Sequence, residues 1–132
     1  MLRYIKTGKA APPPKGVHYA HAVEALGFLH VTGQLPIDPA EPDAALPPDI
    51  DAQAELVFRN LGAIVEAAGY RLSDTVFVRI YLSAFERDYD GLNRIYQRYF
   101  ADEARMPART TIGVVRLGRN ALVEIDLVVA KP

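Results

Sequence analysis

Cysteine is absent from the 132 residues of this chain. The protein therefore has no disulfide, no zinc–thiolate centre and no cysteine nucleophile. No uninterrupted apolar run approaches the roughly 20 residues that a membrane-spanning helix needs. The amino-terminal stretch "MLRYIKTGK" lacks the apolar segment of a secretory signal. We therefore expect a cytoplasmic protein that has no membrane partner.

A large excess of charge of either sign is also lacking, since the chain has 15 Lys and Arg residues and 16 Asp and Glu residues. Nucleic-acid-binding surfaces depend on clustered Lys and Arg, often with interleaved aromatic side chains, and no such stripe occurs here. We expect no nucleic-acid partner. Half of the residues are hydrophobic, which at this length predicts a single domain over residues 1–132 with its own core.

Signatures of metal and nucleotide chemistry are missing as well. His18, His21 and His30 could be imagined around a metal, but no H-E-x-x-H motif accompanies them. We interpret them as surface and hairpin histidines and expect no metal ion. No G-x-S-x-G motif and no phosphate-binding glycine loop occurs either.

The first half of the chain predicts a hairpin followed by a helix. The apolar runs "HAVEAL" and "FLHVTG" flank Gly27, and the second strand should end at Thr32-Gly33. A helix should begin near Asp49 or Asp51, which can cap it, and end before Gly69. Its apolar stripe consists of Ala54, Val57, Phe58, Leu61, Ile64, Val65 and Ala68.

The second half predicts a strand, a helix and a second hairpin. In "DTVFVRIYLS" one strand face should carry Val76, Val78, Ile80 and Leu82, and the other Phe77, Arg79 and Tyr81. A helix over residues 88–100 has the stripe Leu92, Ile95, Tyr96 and Tyr99, and Ser83-Ala-Phe-Glu86 matches a capping box before it. Strands 108–115 and 121–129 should pair through the turn "LGRN".

This ββαβαββ order is an α+β pattern in which two helices cover one face of a sheet. The other face would then expose Phe77 and Tyr81. An uncovered face with two aromatic side chains is typical of an interface. We therefore predict a homo-oligomer in which these faces bury one another.

Arg109 and Glu124 are the most conspicuous candidates for chemistry. Arginine at a strand entry is costly to bury without an anion. If strands 108–115 and 121–129 pair, Arg109 and Glu124 lie at comparable heights on neighbouring strands. Two interpretations then stand equally: a cross-strand ion pair, or two sides of a functional site.

Six segments resemble, in order and spacing, the reactive-intermediate deaminase (RidA/YjgF) family. They are "GVHYAHAV", "VTGQLPID", "QAELVFRNLGAIVEAAG", "LNRIYQRYF", "PARTTIGVVRL" and "VEIDLVVA", from about residue 16 to the carboxyl end. The resemblance implies a chorismate-mutase-like, mixed-sheet fold. It also implies a homotrimer with active sites in the clefts between subunits.

The resemblance further implies hydrolysis of reactive enamines and imines, of the 2-iminopropanoate and 2-iminobutanoate type, to 2-keto acids and ammonia without a cofactor. Arg109 would bind the substrate carboxylate and Glu124 would hold or activate the attacking water. The substrate-binding positions implied beside Arg109 are Tyr19, Thr32, Gly33, Asn93 and Thr111.

The sequence departs from the family pattern at three places. Thr111 stands where cysteine is common, Ala20 and His21 stand where Ser-Gln is usual, and His18-Tyr19 stands in place of Pro-Tyr. Three alternatives remain open: a pathway-specific deaminase such as a 2-aminomuconate deaminase, a non-catalytic module that binds a carboxylate metabolite, and, least favoured by the charge, an endoribonuclease.

Overall fold

The computed structural model describes residues 1–132 as one sheet with two helices on one face. The elements are β1 (Arg3–Ile5), β2 (Ala22–Ala25), β3 (Phe28–Gln34), α1 (Ile50–Ala67), β4 (Thr75–Leu82), α2 (Phe85–Tyr99), β5 (Ala108–Gly113) and β6 (Val123–Ala130). Neither helix has the length and apolarity that a membrane span requires. The expected α+β class, with its helices on a single face, is confirmed.

The strand order is β1-β2-β3-β6-β4-β5. β4 and β5 run parallel, whereas every other pair of neighbours is antiparallel. The predicted hairpin of strands 108–115 and 121–129 is therefore wrong, because β4 separates β5 from β6. Val123, Ile125, Leu127 and Val129 make one side of β6 wholly apolar and buried, which suits the centre of a sheet. β5 contains Arg109 and two threonines, which suits an edge.

The short edge strand β1 has no counterpart in the sequence predictions, because three residues are too few for a periodicity. The Arg3 Nε donates to Glu24 Oε1 at 2.9 Å, and the Tyr70 hydroxyl donates to Glu24 Oε2 at 2.6 Å. These hydrogen bonds lower the pKa of Glu24 to about 2. They tie β1 and β2 to the segment that follows α1.

The core lies between the sheet and the helices. Val78, Ile80 and Leu82 of β4 face it and are fully buried, as predicted. Val76 is an exception, since 40% of it is exposed. The register against β6 shifts between Thr75 and Phe77, and this bulge gives the buried position to Thr75.

Both predicted helices form, but the second begins earlier than expected. The Asp49 side chain accepts the Ala52 N–H at 2.9 Å and caps α1, as predicted. α2 begins at Phe85, and the expected capping box is wrong because Ala84 is the cap and receives no side-chain hydrogen bond. The Ser83 hydroxyl donates instead to the Ala121 carbonyl at 2.9 Å.

Two glycines, one inside α1 and one just beyond its end, provide a test of this backbone. Gly69 has a φ of +79°, so Gly69→Ala should destabilise the protein by about 1 kcal/mol. Gly62 lies inside the helix, and no neighbouring element comes within 4 Å of the point that an alanine methyl group would occupy. Gly62→Ala should therefore stabilise by about 0.5 kcal/mol. Urea unfolding at matched protein concentration measures the free energy of unfolding of both variants. Equal changes in the two variants would contradict the left-handed backbone conformation of Gly69.

Candidate functional site

Arg109 is held in a polar and aromatic setting between the sheet edge and α2. Its Nε donates to Thr111 Oγ1 at 2.8 Å, and one terminal nitrogen donates to Asn93 Oδ1 at 2.6 Å. The guanidinium carbon lies 4.5 Å from the centre of the Tyr96 ring. Strand alternation puts Arg109 and Thr111 on one face, and α2 supplies Asn93 and Tyr96.

The Arg109 guanidinium has no carboxylate within ion-pair distance. Both of its side-chain acceptors are neutral, and they use two of its five N–H donors. A partly buried cation with free donors and a planar shape is suited to a carboxylate, which can accept two parallel hydrogen bonds. This arrangement is a candidate anion site.

Glu124 lies in a separate cavity of about 180 Å³. β6 supplies Glu124, the irregular end of β3 supplies Thr32 and Gly33, and the loop before β2 supplies Tyr19. The β3–β6 register shifts between Val31 and Gln34, which brings the Gly33 backbone against the Glu124 carboxylate. A side chain at position 33 would therefore require the Glu124 carboxylate to move from its present position.

Burial, and secondarily the charge of Asp126, raises the pKa of Glu124 above its ordinary value. Burial and the nearby Glu124 raise the pKa of Tyr19 as well. A carboxylate with a raised pKa is a stronger base than an exposed one. Glu124 therefore has the properties of a group that accepts a proton from, or orients, a water molecule.

The two groups are far apart in the sheet. Arg109 pairs in register with the buried Val78, so it lies on the helix-covered side. Glu124 pairs with Tyr81, on the side that the helices leave open. The expectation that Arg109 and Glu124 occupy neighbouring strands is wrong, because β4 lies between β5 and β6. They form no ion pair within one chain.

The sequence candidates thus fall into two clusters. Arg109, Asn93 and Thr111 form one group, the Arg109 cluster, which suits a carboxylate ligand. Glu124, Tyr19, Thr32 and Gly33 line the Glu124 cavity. The Thr32 hydroxyl donates its proton to the Ala20 carbonyl at 2.7 Å. The Thr32 hydroxyl oxygen can therefore only accept a hydrogen bond from a ligand.

Sequence reasoning missed two contributors to these clusters. Tyr96, predicted only as part of a helix stripe, stacks under Arg109; its spacing of three from Asn93 could have indicated a shared helix face. Gln34 is buried, lines the cavity and donates to the Thr32 carbonyl at 3.0 Å. Nothing in the local pattern signals the bulge that this contact supports.

His21 corrects the description of the three histidines as surface and hairpin residues. It is buried, its Nδ1 accepts the Thr7 N–H at 3.1 Å, and its Nε2 lies 2.8 Å from the Ala11 carbonyl. Both ring nitrogens therefore anchor the segment of residues 7–11, which leads into Pro12 and Pro14 on the wall of the Glu124 cavity.

Comparison with known proteins identifies the family of this chain. A family model described as Endoribonuclease L-PSP matches residues 9–131. A RutC family protein of Aquifex aeolicus is 42% identical over 130 residues, which are 98% of this chain and 100% of that protein. A 2-iminobutanoate/2-iminopropanoate deaminase of Dermatophagoides farinae is 34% identical over 119 residues, 90% of this chain and 89% of that protein.

Solved structures agree with this assignment. RidA from an Antarctic Psychrobacter is 32% identical with a TM-score of 0.87, over 97% of this chain and 98% of that one. E. coli TdcF with bound serine is 25% identical with a TM-score of 0.89, over 98% and 99% of the chains. The fold is thus that of the L-PSP-type proteins. The chain belongs to the RidA/YjgF family.

The charge of Asp126 should be measurable at Glu124. Asp126→Asn removes one of the two causes that raise the pKa of Glu124 and should lower that pKa. Carboxyl-carbon NMR across a pH titration measures the change, with Glu103→Gln on the exposed short helix Glu103–Arg105 as the matched control. An unchanged Glu124 titration in Asp126→Asn would contradict the proposed coupling.

Proposed function

We propose that this protein hydrolyses imines, and the enamines that tautomerise to them, of small 2-keto carboxylates to the keto acid and ammonia. The observation that carries the proposal is the Arg109 guanidinium, which is held by Asn93 and Thr111 and stacked on Tyr96 without a carboxylate partner. The imine deaminase from Dermatophagoides farinae, at 34% identity, supports the same reaction class.

The proposed site combines residues from two copies of the chain. Within one chain, the Arg109 cluster and the Glu124 cavity lie on opposite sides of the sheet, so one small substrate cannot reach both. The uncovered sheet face carries partly exposed apolar side chains, among them Phe28, Phe77, Ile112 and Val128. Covering this face with other copies removes apolar area from water and is consistent with the trimer implied by the family resemblance.

The chemistry needs positioning and one base. The Arg109 guanidinium holds the substrate carboxylate, and the Glu124 carboxylate of a neighbouring copy orients a water molecule toward the imine carbon. Glu124 takes a proton from the water as its oxygen bonds to that carbon, and the C=N electron pair moves to nitrogen, which takes up that proton. In the resulting carbinolamine the hydroxyl proton moves to the amine nitrogen, the C=O bond forms, and the C–N bond breaks to release ammonia. The imine carbon is already electrophilic, so these residues suffice without a metal or organic cofactor.

A second candidate is a module that binds a carboxylate metabolite without turnover. The TdcF structure, described with bound serine, favours it. A pathway-specific deaminase would use the same Arg109 and Glu124 with a different substrate side chain. Turnover separates the binding module from both deaminases.

Arg109→Ala should reduce imine hydrolysis at least about 100-fold, because the carboxylate loses its charge-assisted hydrogen bonds. The assay follows decay of enzymatically generated 2-iminopropanoate and 2-iminobutanoate against their spontaneous rates. Arg116→Ala, which changes an exposed arginine beyond the end of β5, is the matched control and should retain activity. A wild-type rate equal to spontaneous decay would contradict the proposal.

The composite site makes a distinct prediction for mixed oligomers. Arg109→Ala and Glu124→Gln should each be inactive, but mixed assemblies contain some sites with one intact side from each chain. Random mixing predicts recovery of about a quarter of wild-type activity. Co-refolding of differently tagged variants, with size-exclusion light scattering to verify the trimer, provides the measurement. No recovery in verified mixed trimers would mean that both groups act within one chain.

A further inference from the structure

The substrate of the proposed reaction has a third substituent that the Arg109 and Glu124 groups leave unassigned. The carboxylate meets Arg109, and the imine carbon meets the water at Glu124. The side chain on that carbon must leave the small cavity by another route. The following inference rests on the proposed function and concerns where that side chain goes.

A larger cavity, of about 490 Å³, adjoins the Glu124 cavity. The two share Pro12, Pro14 and Ile37 in their linings. Residues 12–14 are three consecutive prolines, whose fixed φ angles make this wall stiff. The two cavities are therefore adjacent and share a largely apolar wall, beside which a substrate side chain leaving the Glu124 cavity would lie.

The lining of this larger cavity also carries charged side chains. Lys15 and Arg119 line it, and neither forms an ion pair. The Arg119 guanidinium donates to the Pro42 carbonyl at 2.9 Å and to the Ala44 carbonyl at 2.8 Å. These two bonds fix the orientation of the guanidinium and leave further N–H donors unused.

Asp43 also lines this cavity and is the one carboxylate that opposes the two cations. It forms no ion pair with either of them. The lining therefore carries a net positive charge and retains cationic donors that a ligand can use. The sign of the charge favours an anionic group at the end of the substrate side chain.

A second groove also adjoins the Glu124 cavity and serves as the comparison. It shares only Tyr19 with that cavity, and its lining contains Lys6 and no arginine. It therefore shares less of its wall with the Glu124 cavity than the cavity at Lys15 and Arg119 does, and it has one Lys or Arg instead of two. The cavity at Lys15 and Arg119 is thus the better continuation of the site.

We infer that the cavity formed by residues 12–15, Ile37, Pro42 and Arg119 binds the distal carboxylate of a dicarboxylic substrate. Lys15 and Arg119 hold the carboxylate, and the proline wall contacts the methylene groups before it. This assigns the substrate class as imines of 2-keto dicarboxylic acids, with one carboxylate at Arg109 and the other at Lys15 and Arg119.

Calorimetric titration with 2-keto acids tests the inference without turnover. The probes are two pairs of equal chain length, 2-oxoglutarate with 2-oxopentanoate and 2-oxoadipate with 2-oxohexanoate, at constant ionic strength. Within each pair only the distal carboxylate differs. We expect the wild-type protein to bind the dicarboxylate about tenfold more tightly in at least one pair.

Three variants assign that preference to the charges. Lys15→Met should lower the preference about fivefold, whereas Lys15→Arg should largely retain it. Lys6→Met, in the other groove, is the matched control and should retain it fully. Asp43→Asn should increase the preference about twofold, a gain that a merely structural role would not produce.

The named outcomes separate this inference from the proposed function. The inference is overturned if neither pair shows a preference for the dicarboxylate, if Lys15→Met leaves the preference intact, or if Lys6→Met removes it. Keto-acid binding with this pattern but without imine turnover overturns the proposed function and leaves the distal site standing. Absence of any keto-acid binding overturns the distal site, and imine turnover measured separately decides the proposed function.

Discussion

Side chains alternate along the central strand β6, and this alternation sets both the core of the domain and the position of Glu124. Val123, Ile125, Leu127 and Val129 point into the core and are almost completely buried. Because successive side chains alternate, Glu124 and Asp126 must then lie on the open face. β6 is bordered by β3 and β4, so its registers with both strands also fix which residues surround Glu124.

The same sheet separates the two chemical groups. β5 is the edge strand beyond β4, and its parallel register with β4 directs Arg109 to the helix side. Asn93 and Tyr96 of α2 hold the guanidinium there. An ion pair between Arg109 and Glu124 would stabilise both charges, but neither group would then be free to contact a ligand or a water molecule. Separation by the sheet keeps Arg109 available to an external carboxylate and leaves Glu124 with a raised pKa.

Local patterns were sufficient for most elements of the fold. The apolar stripe of α1, its cap at Asp49 and the hairpin at Gly27 depend on neighbours in the sequence, and all of them form. The position of β5 depends instead on a choice between two long-range partners, β4 and β6. Local propensity favours a strand at each of these segments but does not choose its partner.

The candidate site shows the same division between local and long-range information. Side-chain alternation correctly put Glu124 opposite the core residues of β6. The bulge at Val31 and Gln34 and the stacking of Tyr96 on Arg109 arise from tertiary packing, and no short motif encodes either. The assignment of Arg109 and Glu124 to one reaction came from the family resemblance, whereas their separation came from the strand order.

In the proposed site, one small carboxylate ligand contacts Arg109 of one copy and the Glu124 cavity of another. A crystal structure of the assembled protein with 2-oxobutanoate tests it most directly. We expect two hydrogen bonds from Arg109 to the ligand carboxylate, with the keto carbon beside Glu124 of a neighbouring copy. A ligand bound at Arg109 with no second copy of the chain near it would rule this arrangement out.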